Sequence, residues 1–238
     1  MSVHWSEPLA NAPRLSIIVP VLNEASTIQE CLTALLPLWR CGVEIVIVDG
    51  GSEDDTVALA LPLADRVLAS ERDRARQMNH GARESRGEHL VFLHADTRLP
   101  NRADLAIEVA LKDTGGWGRF DVDIERGFAL AGLVGWSMNR RSRMTGIATG
   151  DQAMFMTREA FEIVGGFPDQ PLMEDIAMSR HLHRLSAPTC LAQRVTTSAR
   201  RWQQNGPLRT IAKMWWLRLR YGFGASPGTL AGDYTDVR

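Results

Sequence analysis

Glu88-His89-Leu90-Val91-Phe92-Leu93-His94-Ala95-Asp96 is the stretch that decides the fold. Its apolar run, Leu90 to Leu93, is short, lacks a helical period and is bounded by polar residues, which predicts a strand buried on both faces in a parallel sheet. Polarity changes abruptly at the C-terminal end of the run. In open α/β sheets ligands bind just beyond the carboxyl ends of the strands, so Asp96 is set to meet one. A carboxylate is a hard oxygen donor suited to Mg²⁺ or Mn²⁺, ions commonly shared with substrate phosphates. The competing reading makes Asp96 a helix cap.

Upstream, Leu15 to Val21 predicts a first strand, and Ser26-Thr27-Ile28-Gln29 a capping box opening a helix to about Leu36. Pro37 ends that helix or bends its last turn. The β-branched run Val43 to Val48 predicts a second strand. It enters Asp49-Gly50-Gly51-Ser52, whose glycines permit a tight turn close to a ligand. A helix from Thr56 to about Leu61, a short strand near Arg66 to Leu68 and a helix from Arg74 complete a βαβα alternation, hence a parallel sheet flanked by helices. Downstream, Trp117 to Ile124 reads as an antiparallel or edge strand and Phe128 to Arg141 as an amphipathic helix. Ala153 to Met156 reads as a strand, Arg158 to Val164 as a short helix, and Gly165-Gly166-Phe167-Pro168 as a helix stop. A further helix runs from about Glu174 to Leu185.

The chain has 238 residues and a formal net charge of -1, which gives no global argument for nucleic acid. Residues 1–14 read as a tail without signal-peptide character, and residues 15–238 as one domain with a nucleotide-binding half (15–112), an acceptor half (113–190) and a basic helical segment (191–238). No apolar run approaches a membrane span. Three cysteines (Cys31, Cys41, Cys190) without metal-ligand spacing read as buried free thiols of a reducing cytoplasm.

Three strand ends carry separate polar groups: Asn23 with Glu24, Asp49, and Asp96. A parallel sheet brings them to one edge. Each alone is ordinarily a turn or cap residue. Together they cost stability unless a cation or a bound base and ribose compensates. Arg76, in the helix before the central strand, is a candidate phosphate partner or a solvated helix residue. Asp175 falls in the first turn of its helix on the face of Met178 and Leu182, where the helix N-terminus favours the ionised carboxylate that a general base requires. The plain reading of Glu174-Asp175 is dipole complementation.

These residues resemble a known family. Pro20-x-x-Asn23-Glu24, Val48-Asp49-Gly50-Gly51-Ser52-x-Asp54-x-Thr56, Phe92-Leu93-x-Ala95-Asp96, Gly165-Gly166-Phe167 and Glu174-Asp175 stand in the order found in family 2 glycosyltransferases, from Leu15 to about Leu185. The resemblance implies the GT-A fold, a Rossmann-like, mostly parallel sheet that binds nucleotide-diphosphate sugars. It implies that Pro20, Asn23, Glu24, Asp49 and Gly51 hold base and ribose, and that Arg76 lies near the nucleotide. It makes Asp96 the carboxylate for Mg²⁺ or Mn²⁺, and Asp175, beside Glu174, the base of an inverting transfer to a hydroxyl. His94 stands where the first acid of the family's DxD motif would be. Gly150, Asp151 and Gln152 would form the loop between donor and acceptor. Arg200-Arg201-Trp202 resembles the Arg-Arg-Trp element that follows the base, which implies a diphosphate or acceptor contact there. Stretches 117–122, 145–152 and 171–175 look like a narrower bacterial subfamily, the arsenosugar-biosynthesis type. A UDP-sugar is the favoured donor and a GDP-sugar the alternative, while the acceptor is open.

From Arg194 to Arg220 there are seven basic residues and no acid. Pro207 suits a helix start, and Leu208, Ile211, Ala212, Trp215 and Leu219 share one face. This predicts a helix packed on the domain, with peripheral membrane contact through Trp215 and Trp216 as the alternative. Two other classes compete with a transferase. A nucleotidyltransferase would carry a glycine-rich basic loop after the first strand, which here reads Pro20-Val21-Leu22-Asn23-Glu24. A non-catalytic nucleotide-sugar binder would be free to lose Asp96 or Asp175.

Overall fold

The computed structural model describes residues 13–114 and 116–234. The expected N-terminal tail therefore lies almost wholly outside the described residues. The first half contains β1 (Leu15–Val21), α1 (Ile28–Trp39), β2 (Glu44–Asp49), α2 (Thr56–Ala60), β3 (Arg66–Ala69), α3 (Arg74–Glu84) and β4 (His89–Phe92). The second contains β5 (Thr97–Arg98), α4 (Ala103–Thr114), β6 (Trp117–Ile124), α5 (Ala131–Thr145), β7 (Met154–Thr157), α6 (Arg158–Ile163), α7 (Glu174–His183) and β8 (Thr189–Thr197). Three helices follow, α8 (Arg200–Asn205), α9 (Pro207–Gly222) and α10 (Pro227–Tyr234).

The strands form one sheet in the order β3-β2-β1-β4-β7-β6-β8-β5. β1 lies parallel between β2 and β4, with Ile18 opposite both Val46 and Phe92. The chain thus winds outward from β1 to β3 and returns to the other side at β4, which leaves a crevice at the carboxyl ends of β1 and β4. Alternate residues of each strand feed different cores. Ile17, Val19, Ile45, Ile47 and Val91 pack with α1 and α4, while Ile18, Val46, Val48, Leu90 and Phe92 pack with α3 and α7. Burial on both faces is why these strands read as continuous apolar runs.

The sheet is mostly parallel, as expected: four strand pairings are parallel and three antiparallel, because β7 runs against both β4 and β6 and β5 against β8. Several finer expectations are corrected. Of the two readings of β6 the antiparallel one holds against β7, and the edge one does not, since β6 lies between β7 and β8. α1 continues through Pro37 to Trp39 with Ile28, Leu32, Leu35 and Leu38 buried. Its capping box does not form, since the Thr27 hydroxyl donates instead to the Glu24 carboxylate at 2.7 Å. All three cysteines are free, but only Cys31 is buried, and Cys41 is exposed. α9 turns a different face inward from the one expected. Leu217 is buried with Ile176 and Leu230, whereas Trp215 is 64% and Leu219 53% exposed. α10 and α7 cover the Leu217 side, so the other aromatic side is left outward. Among the described residues no helix is long and apolar enough to cross a membrane.

Candidate active site

At the ends of β1 and β2 the polar side chains knit two loops together. Asn23 adopts φ 54°, a left-handed conformation Asn tolerates, and its side-chain oxygen accepts from Glu53 N at 2.8 Å. Its backbone N–H donates to Ser52 Oγ and that of Glu24 to Thr56 Oγ1, both at 2.8 Å. The Asp49 carboxylate accepts from the N–H groups of Gly51 and Ser52 at 3.0 Å, and Gly51 reaches this turn with φ +89°. Pro20 stands in β1 opposite Val48. Buried Gln77 donates to the carbonyls of Val21 (2.9 Å) and Val48 (2.7 Å), closing the two strand ends from below. Arg76 is held on the surface by Asp169 and Glu71, which keep its guanidinium above the ordinary arginine value.

Beyond β4, half-buried Asp96 accepts a 3.3 Å hydrogen bond from Thr97 Oγ1 and lines a cavity together with Asp151. His94 Nδ1 lies 3.5 Å from Asp151 Oδ1. The His94 ring also lies so close to Gly150 that a Cβ there would sit 2.3 Å from its Nε2, so any larger residue would displace the imidazole. Gln152 is fully buried, with its oxygen accepting from Thr149 N at 3.2 Å. It shapes the loop from inside the fold.

The loop and α7 meet at Asp175. Its Oδ2 accepts from Gly150 N at 3.0 Å and its Oδ1 from Ile176 N at 2.7 Å. The expectation that the helix N-terminus favours the charged form is corrected here. Burial wins instead and, helped by the adjacent Glu174 charge, pushes Asp175 up to about 6, against the pull of those N–H groups and Arg74. Glu174 is buried and lies 3.4 Å from Arg74 Nη1. Burial pulls the Arg74 guanidinium down, but Glu174, Asp175 and Asp151 outweigh it and leave it above its usual value.

The C-terminal segment closes the site from the other side. Arg200 donates to Glu24 Oε2 and Ser26 Oγ at 3.3 Å. Trp202 stacks on Phe128 at 5.7 Å and lines the cavity beside Asp96. The side chain of Arg201 lies outside the described residues. Stretch 117–122 is used in the interior: fully buried Arg119 pairs with Asp121 and bonds Ser142 Oγ, locking α5 to β6.

Sequence reasoning missed Arg74, Gln77 and Arg141. Arg74 and Arg76 are two residues apart on one helix, and nothing local says which one turns inward. Gln77 is found only once the ends of two strands, at Val21 and Val48, are known to lie side by side above it.

No group of three or more His, Cys, Asp or Glu side chains that could hold a metal occurs among the described residues. The donor set fits an ion shared with substrate, because one or two carboxylates, here Asp96 with Asp151 near it, suffice when phosphate oxygens fill the remaining positions.

A sheet whose strand order turns back beside a carboxylate-lined edge, with helices on both faces, is the GT-A glycosyltransferase architecture. The family model of glycosyl transferase family 2 matches residues 16–113 of the chain. It is 30% identical over 105 residues to an uncharacterized glycosyltransferase of Rickettsia typhi, covering 42% of this chain and 33% of that one. It is 36% identical over 102 residues to a PGL/p-HBAD biosynthesis glycosyltransferase of Mycobacterium bovis, covering 40% of each. The chain thus spans well under half the length of these curated relatives. Among solved structures, S. aureus TarS 1-349 superposes with a TM-score of 0.64 at 16% identity, over 79% of this chain and 61% of that one. A Pyrobaculum calidifontis mannosyltransferase, in complex with GDP-Man and Mn²⁺, gives 0.61 at 22% identity over 94% of this chain and 70% of that one.

Proposed function

We propose that the protein moves a sugar from a nucleotide-diphosphate sugar to an acceptor hydroxyl, with inversion at the anomeric carbon. The observation that carries this reading is Asp175, a half-buried carboxylate raised to about 6 and fixed by Gly150 N next to cavity-lining Asp151. A base poised near the working pH is what proton removal from a hydroxyl needs. Asp175 takes the proton as the acceptor oxygen attacks, the bond to the diphosphate oxygen breaks, and the nucleoside diphosphate leaves. A single displacement inverts the centre and needs no second carboxylate nucleophile. Asp175 is oriented by its two N–H donors, and Arg74 balances the charge of Glu174.

Asp96, with Asp151 near it, would hold Mg²⁺ or Mn²⁺, which when bound supplies charge neutralisation for the leaving diphosphate. Asn23, Glu24 and Asp49 form the base and ribose side, on a turn already built, with Arg76 near the nucleotide. A UDP-sugar is the favoured donor; TarS 1-349 is known in complex with UDP-GlcNAc and with UDP, and the Pyrobaculum calidifontis enzyme with GDP-Man. The narrower resemblance makes an arsenosugar precursor one acceptor to try. A thermal-shift panel of nucleoside diphosphates with and without Mn²⁺, followed by an assay for nucleoside diphosphate release, tests the reading. Stabilisation by one nucleotide class and release that needs acceptor support it. No stabilisation by any nucleotide removes it.

A further inference from the structure

A cavity of about 390 Å³ opens beside Asp96 and Asp151, between α5, α8 and α9. Its wall is largely apolar, built from Val134, Met138, Trp202, Ile211 and Met214. Two arginines from different helices, Arg141 of α5 and Arg218 of α9, also line it. Arg141 Nη2 and Arg218 Nε are buried and have no hydrogen-bond partner among the described residues. An unpartnered guanidinium N–H out of water is costly, and two converging on one cavity gain the fold nothing. Burial also draws Arg141 below the ordinary arginine value despite the charges of Asp175 and Asp151. The space is far larger than one phosphate needs and falls in the range of small-molecule sites. Leu133 (60% exposed) and Trp215 (64%) carry the apolar lining out to the surface.

We propose that this cavity is the acceptor subsite and takes an amphiphile, with an alkyl or aryl body along the apolar wall and one anionic group held by Arg141 and Arg218. Its role as acceptor site rests on the glycosyl-transfer reading; the binding chemistry does not. Bound there, such a molecule presents a hydroxyl to the side of the cavity formed by Asp151 and the loop that fixes Asp175.

Decyl phosphate, decanol and inorganic phosphate are the probes, read by calorimetry and by the fluorescence of Trp202 and Trp215. The wild type is expected to bind decyl phosphate at least about tenfold more tightly than either other probe, a tenfold step being one well-made contact. Arg141→Gln and Arg218→Gln each erase that preference and keep decanol binding, while Met214→Trp, which fills the cavity, loses both probes. Equal affinity of the wild type for decyl phosphate and decanol overturns the proposal. So does an Arg218→Gln protein that loses nucleoside diphosphate and decyl phosphate in parallel, because the arginine then belongs to the donor. Vesicles carrying a long-chain alkyl phosphate are run beside the soluble probe. Arginine-dependent capture on vesicles identifies a membrane lipid, and arginine-dependent binding of the soluble probe alone a free molecule; both support the subsite. Failure of every donor to release nucleoside diphosphate, with these binding results intact, removes the transferase reading and leaves the anionic-amphiphile site.

Discussion

Glu44 and Asp175 are both carboxylates withdrawn from water, at opposite edges of the same sheet. Glu44 opens β2 at the amino-terminal edge and is fully buried. It accepts from Ser16 Oγ at 2.6 Å, from Arg86 N at 2.7 Å and from Arg86 Nε at 3.0 Å, so both its oxygens are paired. Asp175 also has a backbone donor on each oxygen, but burial and then the like charge of Glu174 outweigh them, and its proton affinity rises. The same functional group is structural where donors surround it and basic where they fall short. Loss of Glu44 should therefore harm the fold and spare the chemistry. Loss of Asp175 should do the reverse.

The largest effect is expected at Asp175. Asp175→Asn should lower transfer by about 10²–10⁴-fold, the usual contribution of a general base, with an unchanged circular dichroism spectrum. The wild-type rate should rise with pH through about 6, and the variant should lose that limb. Stability moves the other way. The carboxyl titrates at about 6 when folded against 3.8 for an unperturbed aspartate, so between those values the folded state binds more protons than the unfolded one. Stability then falls as pH rises from about 4 to about 6, and the loss, on the order of 3 kcal/mol, persists above. Asp175→Asn should melt higher than wild type at pH 8 and equally at pH 3, scanned by calorimetry. A lower melting temperature at pH 8 would make Asp175 a structural residue like Glu44.

Next comes Glu44→Ala, which leaves the Ser16 hydroxyl and the Arg86 groups without their acceptor. Arg86 is half exposed, so what is lost is three hydrogen bonds to a fully buried carboxylate, about 3 kcal/mol, measurable as a shifted urea midpoint. Transfer per folded molecule should stay at the wild-type level. A fall in turnover at full folding would break the division between the two edges.

How far this division was legible in sequence follows from the range of each interaction. The strands were legible because burial on both faces writes an uninterrupted apolar run, as in Leu90 to Leu93. The convergence of Asn23, Glu24, Asp49 and Asp96 followed from parallel strands alone, with no side-chain geometry required. The placement of β6 was not legible, since whether a strand lies at an edge depends on partners far along the chain, β7 and β8. The raised proton affinity of Asp175 was not legible either. Helix position is local and argues for the charged form, whereas the opposing burial is set by the loop at Gly150. Arg141 and Arg218 lie 77 positions apart and meet only because α9 folds back over α5.

A middling effect is expected at Gln77, which sits beneath the nucleotide edge but touches it only through backbone. Gln77→Leu removes the donor that serves the carbonyls of Val21 and Val48. The Val21 carbonyl keeps the Gly50 N–H at 3.0 Å, so the two lost hydrogen bonds cost about 1–2 kcal/mol, visible as a lower melting temperature. Nucleoside diphosphate affinity should fall too, because the Asn23 and Asp49 turns begin at those carbonyls. Unchanged affinity with lowered stability would show that the turns hold their shape through Asn23, Ser52 and Thr56 alone.

Arg76 should give the smallest effect and tests the role of burial most cleanly. It has more ion-pair partners than Arg74, with Asp169 and Glu71 both in contact, yet it is about half exposed (48%). Its strengthened proton affinity reflects hydrogen bonds made in water, where the same donors and acceptors are available to the unfolded chain. Exposed pairs contribute little and are screened within about 8–10 Å at ordinary ionic strength. Arg76→Ala should thus lower the melting temperature slightly in dilute buffer and not at all at about 1 M salt, where the Debye length is about 3 Å. A drop that survives high salt and matches that of Glu44→Ala would mean that the count of partners, rather than their exclusion from water, decides what a charge does in this fold.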